Sequence, residues 1–177
     1  MSASEQAIKL GSATPRVGQC AVTSLSAYHV GIVVPRLETA AAELSEQLGL
    51  SWAPAHRAPL RVEQDGHISV VDLLYTYSRS SRDGLMLELI QEIPGTPWVA
   101  GPEGALHHVG FWSDQFNHSL ASLDAGGQRE VSHVNASGET QMFSYHHLLD
   151  GRLRVELVDA EHRRDVLPWS DGQYKGP

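Results

Sequence analysis

Cysteine, basic clusters and long apolar runs are all scarce in this chain. Its single cysteine, Cys20, cannot form an intramolecular disulfide, so the composition does not indicate a disulfide-stapled secreted protein. The densest basic point is Arg163-Arg164 and the formal net charge is −8, which argues against a nucleic-acid partner. No apolar run approaches the roughly 20 residues of a membrane helix, and the N-terminus lacks a signal-peptide pattern. We therefore expect a cytoplasmic protein that binds neither nucleic acid nor membrane.

An internal repeat is the most informative feature that is present. Residues 28–34 read YHVGIVV, and residues 106–112 read LHHVGFW. An offset of 79 residues, 108 − 29, carries His29 onto His108 and Gly31 onto Gly110. A duplication of this kind predicts two similar modules within the 177-residue chain.

Each module is predicted to contain a strand, a helix and three further strands. In the first half the patterns predict strands at 27–34, 67–77 and 85–91 and a helix at 35–48, while residues 51–64 fit an irregular strand pair or a strand after a loop. In the second half they predict strands at 106–112, 128–134, 140–149 and 152–158, with a helix that is capped by Ser113 or Asp114 and ends at Gly126-Gly127. The predicted organisation is a leader at 1–24 that can add an edge strand, a first module at 25–93, a Pro- and Gly-rich linker at 94–104, a second module at 105–159 and a tail at 160–177.

Two histidines and two glutamates fall at equivalent places in the repeat: His29, Glu88, His108 and Glu156. Each is predicted in mid-strand, opposite the large aliphatic side chains. Taken singly, each has an ordinary explanation, because a strand histidine is usually structural and a glutamate can pair with an arginine. Together, two imidazoles and two carboxylates suit a divalent first-row metal, whose charge their −2 would neutralise. We predict one such ion (Zn, Ni, Co, Mn or Fe) with open positions for substrate oxygens.

The other candidate residues have weaker claims. We interpret His107, which aligns with Tyr28, as structural. His146 and His147 are interpreted as a solvated surface pair, with a position lining the site as the alternative. The remaining residues considered are Asp72 and Tyr75 as weak site candidates, and His118, His133 and His162 as surface residues.

These motifs resemble the vicinal oxygen chelate superfamily, the glyoxalase and bleomycin-resistance fold. The resemblance covers roughly residues 27–158 and rests on YHVGIVV followed by a helix, LELI, LHHVGFW and DGRLRVELV. It implies an α+β fold in which two βαβββ modules form a curved, barrel-like sheet around one metal. It also implies ligand roles for His29, Glu88, His108 and Glu156. The LHHVGFW region looks most similar to the branch that contains methylmalonyl-CoA epimerase.

The resemblance and the donor set predict a metal-dependent isomerase or epimerase that moves a proton next to a carbonyl of a small molecule or acyl thioester. Glu156 is the predicted base and Glu88 the second choice, because in glyoxalase-like enzymes a ligand glutamate can leave the metal. A second acid is not assigned. The alternatives are a glyoxalase I-like lyase, an Fe(II) dioxygenase and a non-catalytic small-molecule binding or resistance protein. A homodimer is a further expectation, since exposed sheet edges favour pairing.

Overall fold

Each half of the chain forms one strand, one helix and three further strands. The computed structural model describes residues 25–79, 85–101 and 106–170, with the backbone alone at 167–170. The first half contains β1 (Ser26–Val34), α1 (Leu37–Leu48), β2 (His56–Gln64), β3 (His67–Tyr77) and β4 (Met86–Gln91). The second half contains β5 (His108–Ser113), α2 (Phe116–Gly126), β6 (Gln128–Val134), β7 (Thr140–Leu148) and β8 (Leu153–Asp159). The predicted leader at 1–24 lies outside the described residues.

The eight strands close into one barrel, in the order β1-β4-β3-β2-β6-β7-β8-β5. Strand β1 pairs in parallel with β4 and antiparallel with β5, and β5 pairs in parallel with β8. The β4-β1-β5-β8 seam therefore joins the two halves of one chain side by side. This topology confirms the predicted α+β fold with a barrel-like sheet.

Helices α1 and α2 cover the outer face of the sheet. Helix α1 ends at Gly49, whose φ of 70° lies in the left-handed region that favours glycine. Helix α2 buries Phe116 and Leu123 against Leu157. The predicted cap of α2 is wrong: its N-cap is Gln115, and Ser113 ends β5.

Two segments outside the strands pack against the barrel interior. Trp98, in the predicted linker, is fully buried, and its Nε1 donates a hydrogen bond to the Tyr145 hydroxyl at 3.3 Å. The predicted tail begins with a 3-10 turn at Ala160–His162 and continues as helix α3 (Arg163–Ser170), where Val166 packs on the core. Within the described ranges, none of the helices has both the length and the apolar character needed to cross a membrane.

Candidate metal centre and its cavity

The barrel brings together the four residues that the repeat singled out. His29, Glu88, His108 and Glu156 are all buried, and each offers one donor atom within 4.8 Å of the other three. The Nε2 atom of His29 lies 3.3 Å from Glu88 Oε2 and 3.1 Å from Glu156 Oε2. The Nε2 atom of His108 lies 3.3 Å from Glu88 Oε2 and 3.4 Å from Glu156 Oε2. Four donors from four strands thus converge on one point.

The register of the β4-β1-β5-β8 seam explains this convergence. Two adjacent rows cross the seam, and each contains a glutamate, a glycine and a histidine on three neighbouring strands: Glu88, Gly31 and His108 in one row, and Glu156, Gly110 and His29 in the other. Because β1 and β5 run antiparallel, the two rows are related by an approximate twofold axis. The duplication in the sequence becomes a twofold arrangement of donors.

The glycines in these rows make room for the imidazole rings. A Cβ atom at Gly31 would overlap the His108 ring, and a Cβ atom at Gly110 would overlap the His29 ring. Neither glycine has a positive φ, so steric space, and not backbone conformation, requires glycine here. The repeat therefore encodes each histidine together with the space for its partner.

The donor set fits a divalent cation. The two histidine Nε2 atoms face each other at 2.6 Å, a separation at which two lone pairs repel unless a proton or a metal cation lies between them. No hydrogen bond of good geometry reaches Oε2 of Glu88 or of Glu156, although both atoms are buried. Unpaired buried carboxylate oxygens are costly, and metal coordination would satisfy them. Two neutral imidazoles and two carboxylates could therefore hold one divalent ion.

Without an ion, these groups also shift one another's protonation. Burial alone would lower the pKa of His29, but Glu88 and Glu156 outweigh it and raise that pKa to about 9. Burial likewise opposes the charge on both glutamates, yet His29 and His108 hold their pKa values below the ordinary range. The carboxylates are therefore ionised at neutral pH, which is the form that binds a cation.

His107 contacts the cluster through His108. Its Nδ1 lies 2.9 Å from Nδ1 of His108, and its Nε2 lies 2.9 Å from the carbonyl oxygen of Pro97. Burial, with His108 and Arg154 adding to it, lowers the pKa of His107 to about 3, so its ring is neutral. The strand alternation placed His107 on the face away from His108, and this contact was missed because β5 begins only at His108.

The predictions for two other histidines are wrong. His146 is fully buried, and its Nε2 lies 2.9 Å from the Ser144 hydroxyl, with Nδ1 3.8 Å from Asp124 of α2. It therefore lies beneath α2, neither in solvent nor among the lining residues of the cavity described below. His133 is also buried and stacks on Phe143, with ring centroids 5.7 Å apart. The sequence pattern around a buried, hydrogen-bonded histidine such as His146, on the helix-facing side of the sheet, does not distinguish it from a surface histidine.

A cavity of about 210 Å³ opens beside the two glutamates. Its lining includes Tyr75, which was a weak candidate, but not Asp72, which pairs with Arg57 on the surface. It also includes residues that the sequence did not single out as site residues: Tyr28, Tyr77, Met142, Phe143, Tyr145 and His162. A register shift between Ala27 and His29 lets Tyr28 point inward as His29 does. On β7, a φ of 63° at Met142 breaks the alternation of side chains. Such irregularities are invisible to a two-residue period.

Solved structures of methylmalonyl-CoA epimerases share this fold. A Streptomyces coelicolor methylmalonyl-CoA epimerase variant in complex with 2-nitronate-propionyl-CoA has a TM-score of 0.52 and 19% identity, over 77% of this chain and 95% of that one. A methylmalonyl-CoA epimerase in complex with methylmalonyl-CoA and NH4+ has a TM-score of 0.52 and 18% identity, over 77% and 95% of the two chains. At such identities the likeness establishes the fold and not the reaction.

The family is established by the sequence itself. Among curated protein sequences, none matches the chain significantly. The family model described as Glyoxalase/Bleomycin resistance protein/Dioxygenase superfamily matches residues 28–146, which is more than half of the chain and includes three of the four converging donors. The chain therefore belongs to the glyoxalase/bleomycin resistance protein/dioxygenase superfamily.

Proposed function

We propose that this protein is a divalent-metal-dependent isomerase or epimerase that moves a proton next to a carbonyl group. The observation that carries this proposal is the cluster of four buried donors, whose two carboxylates also line a cavity. His29, Glu88, His108 and Glu156 would hold the ion. When bound, such an ion supplies Lewis-acid polarisation of a carbonyl or of two adjacent oxygens. Its identity among Zn, Ni, Co, Mn and Fe is left to measurement.

The chain's own residues provide the proton transfer. We assign the base to Glu156, which is buried, ionised at neutral pH and part of the cavity wall. Its carboxylate takes the proton from the carbon next to the carbonyl, and the C–H electron pair moves into the carbonyl system. Return of the proton to a neighbouring atom or to the opposite face gives the isomer or the epimer. Glu88 lines the same cavity and is the second choice for either step.

Metal content tests the first half of the proposal. The purified chain, stripped and then reconstituted with each candidate ion, should bind one equivalent, measured by elemental analysis. Deuterium exchange followed by NMR tests the second half, with a panel of acyl thioesters and α-hydroxyketones. No stoichiometric ion under any of these conditions would contradict the metal site, and oxygen consumption without exchange would indicate dioxygenase chemistry instead.

Replacing the proposed base separates chemistry from folding. Glu156→Gln should lower the exchange rate by about 10²-fold or more, the ordinary contribution of a general base. Glu46→Gln, an exposed site on α1, is the matched control and should leave the rate unchanged. Circular dichroism and metal content are measured in parallel, so that loss of the ion is distinguished from loss of the base. Full exchange activity in the ion-loaded Glu156→Gln protein would remove Glu156 from the mechanism.

Two further expectations accompany this proposal. A homodimer is proposed from the family's habit of pairing, and sedimentation measurements would test it. A cytoplasmic location is proposed from composition, and fractionation of the source cells would test it.

A further inference from the structure

The cavity beside the carboxylates has a mostly apolar and aromatic wall. The apolar and aromatic side chains in this wall include Tyr28 of β1, Leu73 and Tyr75 of β3, Phe143 and Tyr145 of β7, and Val166 of α3. The tyrosine side chains in this wall end in phenols, which ionise only at about pH 10. These phenols are therefore neutral, and the wall offers uncharged surface and hydroxyl groups to a ligand.

The charged groups around this cavity are mainly acidic. Glu88 and Glu156 line it, and so do Asp165 and His162 near α3. One divalent ion would offset the two glutamates, while the exposed Asp165 carboxylate lies 3.7 Å from Nδ1 of His162. No lysine or arginine is among the described residues that line the cavity, so a ligand carboxylate would lose its water there without gaining a strong cationic partner.

The volume of the cavity sets the size of its occupant. An engineered apolar cavity of about 150 Å³ is large enough for benzene, and this cavity measures about 210 Å³. A single ring with a two-carbon oxygenated arm is thus of the right size. The arm would reach the carboxylates while the ring packs on the tyrosines.

We propose that this site takes a small uncharged carbonyl compound with two adjacent oxygens and an aromatic or branched apolar body, in preference to an anionic acyl thioester. The requirement for two adjacent oxygens rests on the proposed function. The requirement for an uncharged apolar body rests on the cavity wall alone and holds with or without an ion. The two requirements can therefore be tested separately.

Four compounds distinguish the effects of a ligand's apolar body, of its charge and of its two adjacent oxygens. 2-Hydroxyacetophenone has an aromatic body and two adjacent oxygens, and its 4-carboxylate adds a charge. Dihydroxyacetone keeps the oxygens without the ring, and methylmalonyl-CoA is the anionic thioester found with one structural neighbour. Calorimetric titrations of the full chain, with and without ion, should show that 2-hydroxyacetophenone binds at least about tenfold more tightly than each of the others, because dihydroxyacetone lacks the ring and the other two carry a negative charge. Equal affinity for 2-hydroxyacetophenone and its carboxylate, or tighter binding of methylmalonyl-CoA, would overturn the proposal.

Substitutions in the cavity lining test the origin of the preference for uncharged ligands. Val166→Lys adds a cation to the lining and should reduce the discrimination against the carboxylate severalfold. Val70→Lys adds the same charge at an exposed position outside the lining and should leave it unchanged. Asp165→Asn, at a side chain that is 72% exposed, is a milder second variant that should shift the preference in the same direction. If none of the lining variants changes the ratio of the two affinities, the charge argument fails.

Failure of this inference is distinct from failure of the proposed function. Deuterium exchange at the carbon next to the carbonyl is measured on the same samples. Tight binding of 2-hydroxyacetophenone without exchange would support the proposed ligand class and contradict the proton-transfer function. Deuterium exchange on dihydroxyacetone or methylmalonyl-CoA, with no preference for the aromatic probe, would support the proposed function and overturn the proposed ligand class.

Discussion

At the scale of single residues, the contacts of His107 define the tautomer of a candidate ligand. If Nε2 of His108 binds an ion, its proton must be on Nδ1. That Nδ1–H then donates to Nδ1 of His107, and the Nε2–H of His107 donates to the carbonyl of Pro97. Every nitrogen of the two rings has one role in this chain of hydrogen bonds. In that case His107 is a positioning residue, which would orient His108 without reaching the ion.

Removing the hydrogen bonds between His107 and His108 should weaken metal binding without removing a ligand. His107→Leu should raise the dissociation constant of the ion by about 10–100-fold, the usual effect of losing the hydrogen-bond partner of a ligand. His107→Asn can keep an acceptor near Nδ1 and should recover part of the affinity. The measurement is a competition titration with a chromophoric chelator.

An exposed histidine provides the control for this comparison. His67→Leu, on β3, changes the same residue type at a solvent-exposed position and should leave the affinity unaltered. Equal affinities in the His107→Leu and wild-type proteins would show that His108 is oriented by its packing alone.

At the scale of elements, β1 and β5 form one unit. Each strand supplies a histidine whose ring lies over a glycine of the other strand. The sheet must stay in register for this to occur, because a slip of one residue would turn each histidine to the opposite face. The glycines are thus as much a part of the candidate site as the histidines.

Adding one methyl group at either glycine should therefore disrupt ion binding. Gly31→Ala and Gly110→Ala would force a ring to move, and overpacking of this kind costs about 1–3 kcal/mol. The expected result is a loss of at least about tenfold in metal affinity, together with a lower melting temperature. Gly101→Ala is the matched control, since a Cβ there meets nothing within 4 Å. Wild-type affinity in both variants would contradict the close packing of glycine and imidazole.

At the scale of the whole molecule, the candidate centre ties the two halves together. Its donors come from β1, β4, β5 and β8, which are adjacent in the folded barrel but far apart in an unfolded chain. An ion that binds there prefers the folded state and stabilises it by mass action. The stability of the β4-β1-β5-β8 seam should consequently depend on the ion.

Metal addition should raise the melting temperature. At a free ion concentration of 100 times the dissociation constant the stabilisation is about 2.7 kcal/mol, which for a chain of this size corresponds to roughly 5–10 °C. Circular dichroism melts with and without the ion measure this shift. His29→Ala should lose the shift, and an equal rise in that variant would mean that the ion binds elsewhere.

The fold and the four donors were predictable because local patterns encode them. Strand alternation, helix periodicity and the repeat identified both βαβββ modules, and the same offset paired His29 with His108. The patterns did not reveal that Tyr28 turns inward at a bulge, or that His146 is buried beneath α2. Those outcomes depend on strand irregularities and on helix placement, which no short window of sequence contains.

The sequence by itself determined the repeat, the order of the elements and the identity of the four buried donors. Only the tertiary structure decided that these donors lie within 4.8 Å of one another, that His107 contacts His108, and that an apolar cavity lies beside the carboxylates. The physical reason is barrel closure. Residues separated by as many as 127 positions, from 29 to 156, become neighbours through strand register and not through any local preference.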